Sequence, residues 1–202
     1  DNDVLNLYGY TYFPQKWSLE AYEFLIKQGT VISKSFLNAI LVTFMGTALG
    51  IMVTVLLAYT ISRKELVGRK LIMLFVFFTM LFNGGMVPTY LMYTQIFHIK
   101  NTMWALLFPH LLVNGFNVLL VRTFFNENIP EVLLEAARID GAGEISIFRN
   151  VVLPISKPIL ATIGLLVGVG YWNDWYNGLL FVTDVNYYTL QNFLNKIMTD
   201  LQ

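Results

Sequence analysis

The feature that most constrains this chain is a run without any charged residue, from Phe36 to Ile61. As an α-helix rising about 1.5 Å per residue, this run would be roughly 39 Å long. That length exceeds the roughly 30 Å hydrocarbon core of a bilayer. Only 13% of all residues are charged and the mean hydropathy is +0.58, whereas about 25% of residues are charged in an average soluble domain. We therefore predict a protein embedded in a membrane.

Three further runs have the character of membrane spans, because each contains at most one charged residue. They are Leu71–Phe97, Met103–Val121 and Ile159–Phe181. Runs of this length and composition are read as transmembrane helices by default. The first of them is interrupted at Asn83-Gly84-Gly85 and at Pro88, so we expect its helix to break or kink near its outer end. The sequence thus predicts an all-α, polytopic helical bundle with four spans.

Basic residues are concentrated in two of the segments that connect these runs. They are Arg63, Lys64, Arg69 and Lys70 in the linker 62–70, and Arg122, Arg138, Arg149 and Lys157 in the loop 122–158. Cytoplasmic loops carry the excess of Lys and Arg, so we place both segments in the cytoplasm. The alternation of spans then places 1–35, 98–102 and 182–202 outside, on either side of a transmembrane core at 36–181.

Both ends of the chain fall on the outer side in this topology. The chain begins at Asp1, without an initiator methionine or a signal peptide. A chain whose first residue lies outside without a signal normally has an earlier span that carries it there. We therefore expect a piece of a longer protein, with at least one span before residue 1 and another after residue 202.

Charge and residue types exclude several classes of function. Thirteen Lys and Arg residues balance thirteen Asp and Glu residues, whereas nucleic-acid-binding domains usually carry a basic excess, so we expect no nucleic-acid partner. The chain has no cysteine, which excludes disulfide scaffolds and thiolate-bound zinc. Its two histidines leave little for a histidine-based metal site, and we predict no metal site.

The loop 122–158 predicts two short helices joined by a glycine turn. Pro130 suits the first helical turn, where its missing N–H is not needed. Gly141 and Gly143 are suited to ending this helix, because glycine accepts the left-handed conformation of a C-terminal cap. A second helix of about Glu144–Val152 would stop before Pro154.

One side of the first predicted helix combines charged and apolar residues. Glu135, Arg138 and Ile139 share that side by their i, i+3 and i+4 spacing. The composition suits a docking surface for another protein, whereas helix spacing alone favours an ordinary solvated loop. The spacing of further residues in the loop decides between the two.

Residues of this loop stand in a fixed spacing: Glu135-Ala136-Ala137, Gly141, Val151 and Leu153-Pro154. The spacing resembles the EAA loop in the permease subunits of ATP-binding-cassette importers. The family pattern is Glu-Ala-Ala, three residues, Gly, nine residues, Ile, one residue and Leu-Pro. Val151 departs from it by one methylene. Because six positions match in a loop independently assigned to the cytoplasm, the chain is identified as a member of this family.

Neighbouring residues narrow the resemblance to the carbohydrate-importing branch. Residues 138–142 and Lys157-Pro158 look like that branch, in particular like the maltose-type second permease. Residues 82–90 and 171–175 are similar to a subgroup that imports plant-polysaccharide fragments in Gram-positive bacteria. The resemblance implies a multi-pass permease in a bacterial or archaeal cytoplasmic membrane, forming part of the path of an oligosaccharide or another sugar-derived solute.

The resemblance also implies a division of labour among subunits. Expected partners are a second homologous permease, two ATPase subunits, an extracellular or periplasmic solute-binding protein and membrane lipid. The chain has no Gly-x-x-x-x-Gly-Lys-Ser/Thr loop, so we expect it not to be an enzyme, and we expect ATP and magnesium in the partner ATPase. The resemblance assigns the ATPase contact to these residues: Glu135, Ala136, Ala137, Arg138, Asp140, Gly141, Leu153 and Pro154. We expect Glu135 to form an ion pair with an arginine of the ATPase.

Polar and aromatic residues of the predicted spans are candidates for lining the solute path. They are Asn83, Tyr90, Asn117, Trp172, Asn173, Asp174 and Trp175. Asp174 is the one charged residue within the assigned spans, where charges are costly and often functional. It equally suits an interfacial belt with its two tryptophan neighbours. The asparagines could hold helices together instead of facing a path.

Two alternatives to the sugar permease stay open. An importer of a non-sugar solute fits the same loop, because the loop pattern reports the ATPase contact and not the cargo. A membrane-embedded enzyme would need Asp174 and His110 as acid–base groups, although these residues lie on different predicted spans. The glycine pairs Gly46/Gly50 and Gly164/Gly168 favour generic packing between spans over a specific dimer motif.

Overall fold

A computed structural model describes residues 19–109 and 111–200. The predictions for residues 1–18, for His110 and for residues 201–202 lie outside the described residues. All regular structure in the described part is helical, which confirms the predicted all-α class. The α-helices are α1 (Glu20–Lys27), α2 (Gly29–Ser62), α3 (Arg69–Leu81), α4 (Met86–Leu91), α5 (Trp104–Leu107), α6 (Gly115–Asn128), α7 (Glu131–Ile139), α8 (Glu144–Ile147), α9 (Leu153–Ile155), α10 (Lys157–Trp172), α11 (Tyr176–Phe181) and α12 (Leu190–Asp200).

The first predicted span is one continuous helix. α2 begins earlier than predicted, and among the described residues it is the single helix that can cross a membrane by itself. Phe44 is 74% exposed, whereas Ala58 and Ile61 on the same helix are fully buried. Because lipid tails are as apolar as leucine, exposed aromatic and aliphatic side chains suit a lipid-facing side. α2 therefore has one side that packs against protein and one that suits lipid.

The second predicted span breaks where the sequence indicated. α3 ends at Leu81, and the helical segment 86–96, formed by α4 and a π-helical turn at Met92–Ile96, is bent by 115° relative to α3. Gly85 has a φ of +86°, a conformation that other residues rarely adopt. Asn83 Oδ1 accepts a hydrogen bond of 2.9 Å from Gly85 N–H. Pro88 lies inside α4, so the break is made by residues 82–85 and not by the proline.

The third predicted span is not one helix. α5 and α6 are separated by an irregular stretch that contains Pro109, whose missing N–H disfavours a continuous ladder. Asn114 caps α6, since its side chain accepts hydrogen bonds from the backbone N–H groups of Phe116 and Asn117. Such a cap satisfies N–H groups that begin a new helix. The predicted span over Met103–Val121 therefore contains two separate helices and not one.

The fourth predicted span is shorter than expected. α10 ends at Trp172 and is bent by 80° relative to the preceding helical segment 144–155. Asp174 Oδ1 accepts a hydrogen bond of 3.1 Å from Asn177 N–H, and this bond helps to start α11 as a separate helix. By length and composition, the described residues contain one span, or three if each bent helix pair counts as one. This part of the chain therefore contains fewer spans, by this measure, than the four that were predicted.

The two predicted loop helices are present. α7 matches the first, and α8 begins at Glu144 as expected. The second helix does not stop before Pro154, because a π-helical turn at Phe148–Val152 leads directly into α9. Pro154 cannot donate to the carbonyl of Asn150 one turn earlier, and the widened turn covers that residue. The predicted end of the second helix is therefore wrong by three residues.

The two glycine pairs pack against each other's helices within this chain. A Cβ added at Gly46 would lie 2.5 Å from the ring of Tyr171, and one added at Gly50 would lie 3.1 Å from Val167. On the facing helix, a Cβ at Gly168 would lie 3.3 Å from Thr47. These small residues let α2 and α10 approach closely, in line with the prediction of generic packing between spans.

Segments that were predicted on the outer side contact one another. Asn101 Oδ1 accepts hydrogen bonds from the N–H groups of Thr183 at 2.6 Å and Asp184 at 3.1 Å. Asn38 of α2 donates to the carbonyls of Asn186 and Tyr188. The segment after α11 is thus fixed to the same end of the bundle as the linker 98–102.

Candidate functional site

α7 presents a short amphipathic helix on the loop 122–158. Its nine residues begin after Pro130, whose fixed φ suits the start of a helix. Leu134 is buried and anchors one side of α7 in the core. A helix of this length is only marginally stable without packing or caps. The cap at the C-terminal end of α7 therefore contributes to its stability together with its buried side.

The end of α7 is a glycine cap. Gly141 has a φ of +82°, and the N–H of Ala142 donates to the carbonyl of Ala137 at 3.0 Å. This six-to-one hydrogen bond across a left-handed glycine is the Schellman arrangement. The sequence prediction that glycine ends the helix is confirmed for Gly141, whereas Gly143 has a φ of −74° and precedes α8.

Serine placed at Gly141 and at Gly143 in turn tests this cap. A Cβ at either position would meet nothing within 4 Å, so the two variants differ mainly in backbone conformation. We expect Gly141→Ser to lower the stability of the detergent-solubilised protein by about 1–2 kcal/mol, the cost of the left-handed conformation. Gly143→Ser should be close to neutral, because serine is favoured before a helix. Equal thermal unfolding of both variants would contradict the cap.

Two residues of the predicted docking side are exposed. Ile139 is 86% exposed, Glu135 lies one turn before it and is also exposed, and Ile145 at the start of the next helix is 83% exposed. Exposed β-branched side chains beside a carboxylate, on a short capped helix, suit contact with another protein. The third predicted member, Arg138, turns instead towards its own chain.

Arg138 joins α7 to two other segments. Its Nη1 lies 2.9 Å from Glu65 Oε1, in the linker that follows α2. Its Nε and Nη2 lie 3.1 and 3.0 Å from Glu144 Oε1, at the start of α8. A guanidinium group suits this role because its donors form a rigid planar fork.

Glu144 continues the connection to the end of α2. Its Oε2 accepts a hydrogen bond of 2.7 Å from the hydroxyl of Tyr59. The Tyr59 ring lies 4.9 Å from the ring of Phe148, and the guanidinium of Arg63 lies 4.5 Å above it. We call Tyr59, Glu65, Arg138 and Glu144 the loop clamp.

The charges of the loop clamp are fixed by their neighbours. The pKa of Glu144 is lowered mainly by the hydrogen bond from Tyr59 and further by Arg138. The pKa of Glu65 is lowered by its own backbone N–H and by Arg138. The two carboxylates in turn raise the pKa of Arg138. All three side chains are therefore charged at neutral pH.

The residues that the resemblance assigned to the ATPase contact fall into two groups. Five are exposed: Glu135, Ala136, Asp140, Gly141 and Pro154. Three are partly buried: Ala137, Arg138 and Leu153. Sequence reasoning missed Tyr59, Glu65 and Glu144 as neighbours of this site. Tyr59 lies 85 positions before Glu144 in the chain, and no local spacing signals such a contact.

Two of the predicted path residues lie together. Asn83 and Asp174 line a cavity of about 430 Å³, together with Gly85, Met86, Leu111, Tyr176 and Asn177. Asn177 was not predicted from the sequence. It is 2% exposed, and its Nδ2 donates to the carbonyl of Pro109 at 3.0 Å.

The other predicted path residues lie outside this cavity. Tyr90 stacks on Phe181 with ring centres 5.8 Å apart, and the ring of Trp172 meets Phe36 edge-on at 6.0 Å. Asn173 donates to a carbonyl of its own helix. Asn117 is buried and Trp175 contacts the ring of Tyr176. The cavity therefore joins two of the seven candidates, and their role in a solute path stays a prediction.

Sequence comparison identifies the family of this chain. Residues 33–201 match the family described as the binding-protein-dependent transport system inner membrane component. The chain belongs to that family. This match confirms the resemblance of the chain to the permeases of binding-protein-dependent importers.

Two relatives of this family member are proteins of Bacillus subtilis (strain 168). The chain is 40% identical over 185 residues to the polygalacturonan/rhamnogalacturonan transport system permease protein YtcP, a match that covers 92% of this chain. It is 38% identical over 191 residues to protein LplC, covering 94% of this chain. The chain spans 63% of the length of each of these relatives.

A solved structure has the same fold. It is the crystal structure of a bacterial ABC transporter involved in the import of the acidic polysaccharide alginate. The superposition has a TM-score of 0.80 at 31% sequence identity and covers 85% of this chain and 60% of the solved chain. The helical arrangement described above is therefore that of an ABC importer component.

Proposed function

We propose that the full-length protein is the permease subunit of an ATP-driven, binding-protein-dependent importer of an oligosaccharide. The observation that carries the proposal is the EAA loop, whose residues fold into a short, capped helix with Glu135 and Ile139 exposed. These properties suit a docking element, because a pre-organised, accessible surface can contact a partner with little change of its backbone.

The cargo follows from the relatives. One relative is named for polygalacturonan and rhamnogalacturonan transport, and the similar solved transporter imports alginate. These names support the cargo that we propose, an oligosaccharide derived from an acidic polysaccharide. Partner subunits are a second homologous permease, two ATPase subunits that bind ATP and magnesium, and a solute-binding protein outside the membrane.

Purification of the full-length protein from its native membranes tests this proposal. A tag on the full-length protein, mild detergent and mass spectrometry should recover an ATPase and a second permease with its own EAA loop. An unrelated multi-span protein, tagged and purified in the same way, is the control for nonspecific recovery. A protein that stays solitary in several detergents would contradict the importer.

The proposed cargo is then tested with the solute-binding protein that co-purifies with the full-length protein or is encoded next to it. Calorimetric titration with oligogalacturonides, alginate oligosaccharides and maltotriose should show binding of the acidic oligosaccharides. Binding of maltotriose alone would leave the importer standing and overturn the acidic cargo. Binding of none of the three would favour the importer of another solute.

A further inference from the structure

The loop clamp forms an unbroken connection from the docking helix to the first span. Arg138 in the last turn of α7 bonds Glu144, and Glu144 bonds the hydroxyl of Tyr59 in the last turn of α2. A second branch runs from Arg138 Nη1 to Glu65 Oε1 at 2.9 Å, in the linker that directly follows α2. Tyr59 is 9% exposed and packs in the core. The two branches therefore tie α7 both to the end of α2 and to the chain that leaves it.

α7 depends on such a connection if it is to move a span. Of its nine residues, Leu134 is the buried one, the ion pair of Glu131 with Lys64 at its first turn is exposed, and the glycine turn at 140–143 separates α7 from α8. A partner that pushes on the exposed side of a weakly anchored helix would tilt that helix before it moved the bundle. Contacts that tie the helix to α2 transmit the displacement instead, because packed elements move as units.

We propose that Arg138 is a positioning residue that transmits movement of the docking helix α7 to the first span through Glu144, Tyr59 and Glu65. This inference rests on the proposed function and gives Arg138 a role different from contact with the ATPase. Glu135 and Ile139 would receive the partner, and Arg138 would pass the displacement on. A lysine could not fully replace it, since a single ammonium group lacks the fork that reaches both carboxylates.

Coupling in the reconstituted complex tests the proposal. Three variants are compared with the wild type in proteoliposomes that contain all subunits: Arg138→Ala, Arg138→Lys and Arg149→Ala. Arg149→Ala is the control, because it replaces an exposed arginine of the same loop. The quantity measured is solute transported per ATP hydrolysed. We expect a fall of between about twofold and thirtyfold for Arg138→Ala, the range for mutations along a coupling network. Arg138→Lys should fall less, and Arg149→Ala should match the wild type.

Each outcome tests either the positioning role of Arg138 or the proposed importer function. An unchanged ratio in Arg138→Ala overturns the inference and leaves the importer standing. Loss of the ATPase from the Arg138→Ala complex also overturns it, because Arg138 would then act in docking. A wild-type complex without an ATPase or without transport would instead contradict the proposed function.

A reversible cross-link separates transmission from folding. Residues 1–202 contain no cysteine, so Glu65→Cys with Arg138→Cys introduces the only pair of thiols within this part of the protein. We expect the double variant to transport less solute per ATP hydrolysed than the wild type. A short, cleavable bifunctional thiol reagent that joins the two cysteines should restore this ratio. Reduction of the cross-link should lower the ratio again. Each single cysteine variant, treated with the same reagent, is the control. Failure of the cross-link to restore coupling would overturn the proposal.

Discussion

Replacing Gly46 with alanine is expected to disrupt the packing of α2 against α10. A Cβ at this position would lie 2.5 Å from the ring of Tyr171, well inside van der Waals contact. The ring cannot easily move away, because Tyr171 is 2% exposed and its hydroxyl donates to the carbonyl of Leu107 at 2.7 Å. Overpacking of a filled core costs about 1–3 kcal/mol, and a fixed ring places this site at the upper end.

Thermal unfolding of the purified protein in detergent measures this effect. Gly170→Ala is the matched control, since it adds the same methyl group to α10 at an ordinary contact of 3.7 Å from Leu111. We expect a clear fall in melting temperature for Gly46→Ala and little change for Gly170→Ala. Adding Tyr171→Leu to Gly46→Ala should recover part of the loss. Equal melting temperatures for the two alanine variants would contradict the close approach of these helices.

The features that were predictable from sequence depend on local chemistry. The uncharged run of α2, the break at Asn83-Gly84-Gly85 and the glycine end of α7 each follow from residues within one or two turns of the feature. Hydrophobic length, proline and glycine act locally on the backbone. The EAA spacing belongs to the same category, because all its members lie within one loop.

Two kinds of feature were not predicted: helix starts inside the apolar runs, and contacts between distant segments. The third run reads as one apolar stretch, yet Asn114 caps a new helix within it. In the run Ile159–Phe181, Asp174 bonds Asn177 at the start of α11, a local helix start that run length and hydrophobicity do not show. The contact of Arg138 with Glu65 was also not predicted from the sequence, since the two residues lie 73 positions apart. Helical spacing shows which residues share a side but not what that side meets.

Removal of the Glu135 carboxylate is expected to have the largest effect on the transporter. Glu135 is exposed on α7, beside the exposed Ile139, and we expect it to pair with an arginine of the ATPase. Truncating one partner of a charge pair that an interface buries costs about 2–5 kcal/mol. Glu135→Ala should therefore weaken association with the ATPase by about thirtyfold to a few thousandfold. Glu135→Gln should be intermediate, because the amide keeps the shape and loses the charge.

Association and solute-stimulated ATP hydrolysis, measured on the same preparations, check this prediction. Glu127→Ala removes an exposed carboxylate from α6, outside the docking side, and is the control. Glu135→Ala should lose the ATPase, whereas Arg138→Ala should keep it and transport less solute per ATP. We expect this difference because Glu135 is exposed, whereas Arg138 bonds Glu65 and Glu144 of its own chain. If Glu135→Ala bound the ATPase and stimulated hydrolysis like the wild type, the docking contact would lie elsewhere on the loop.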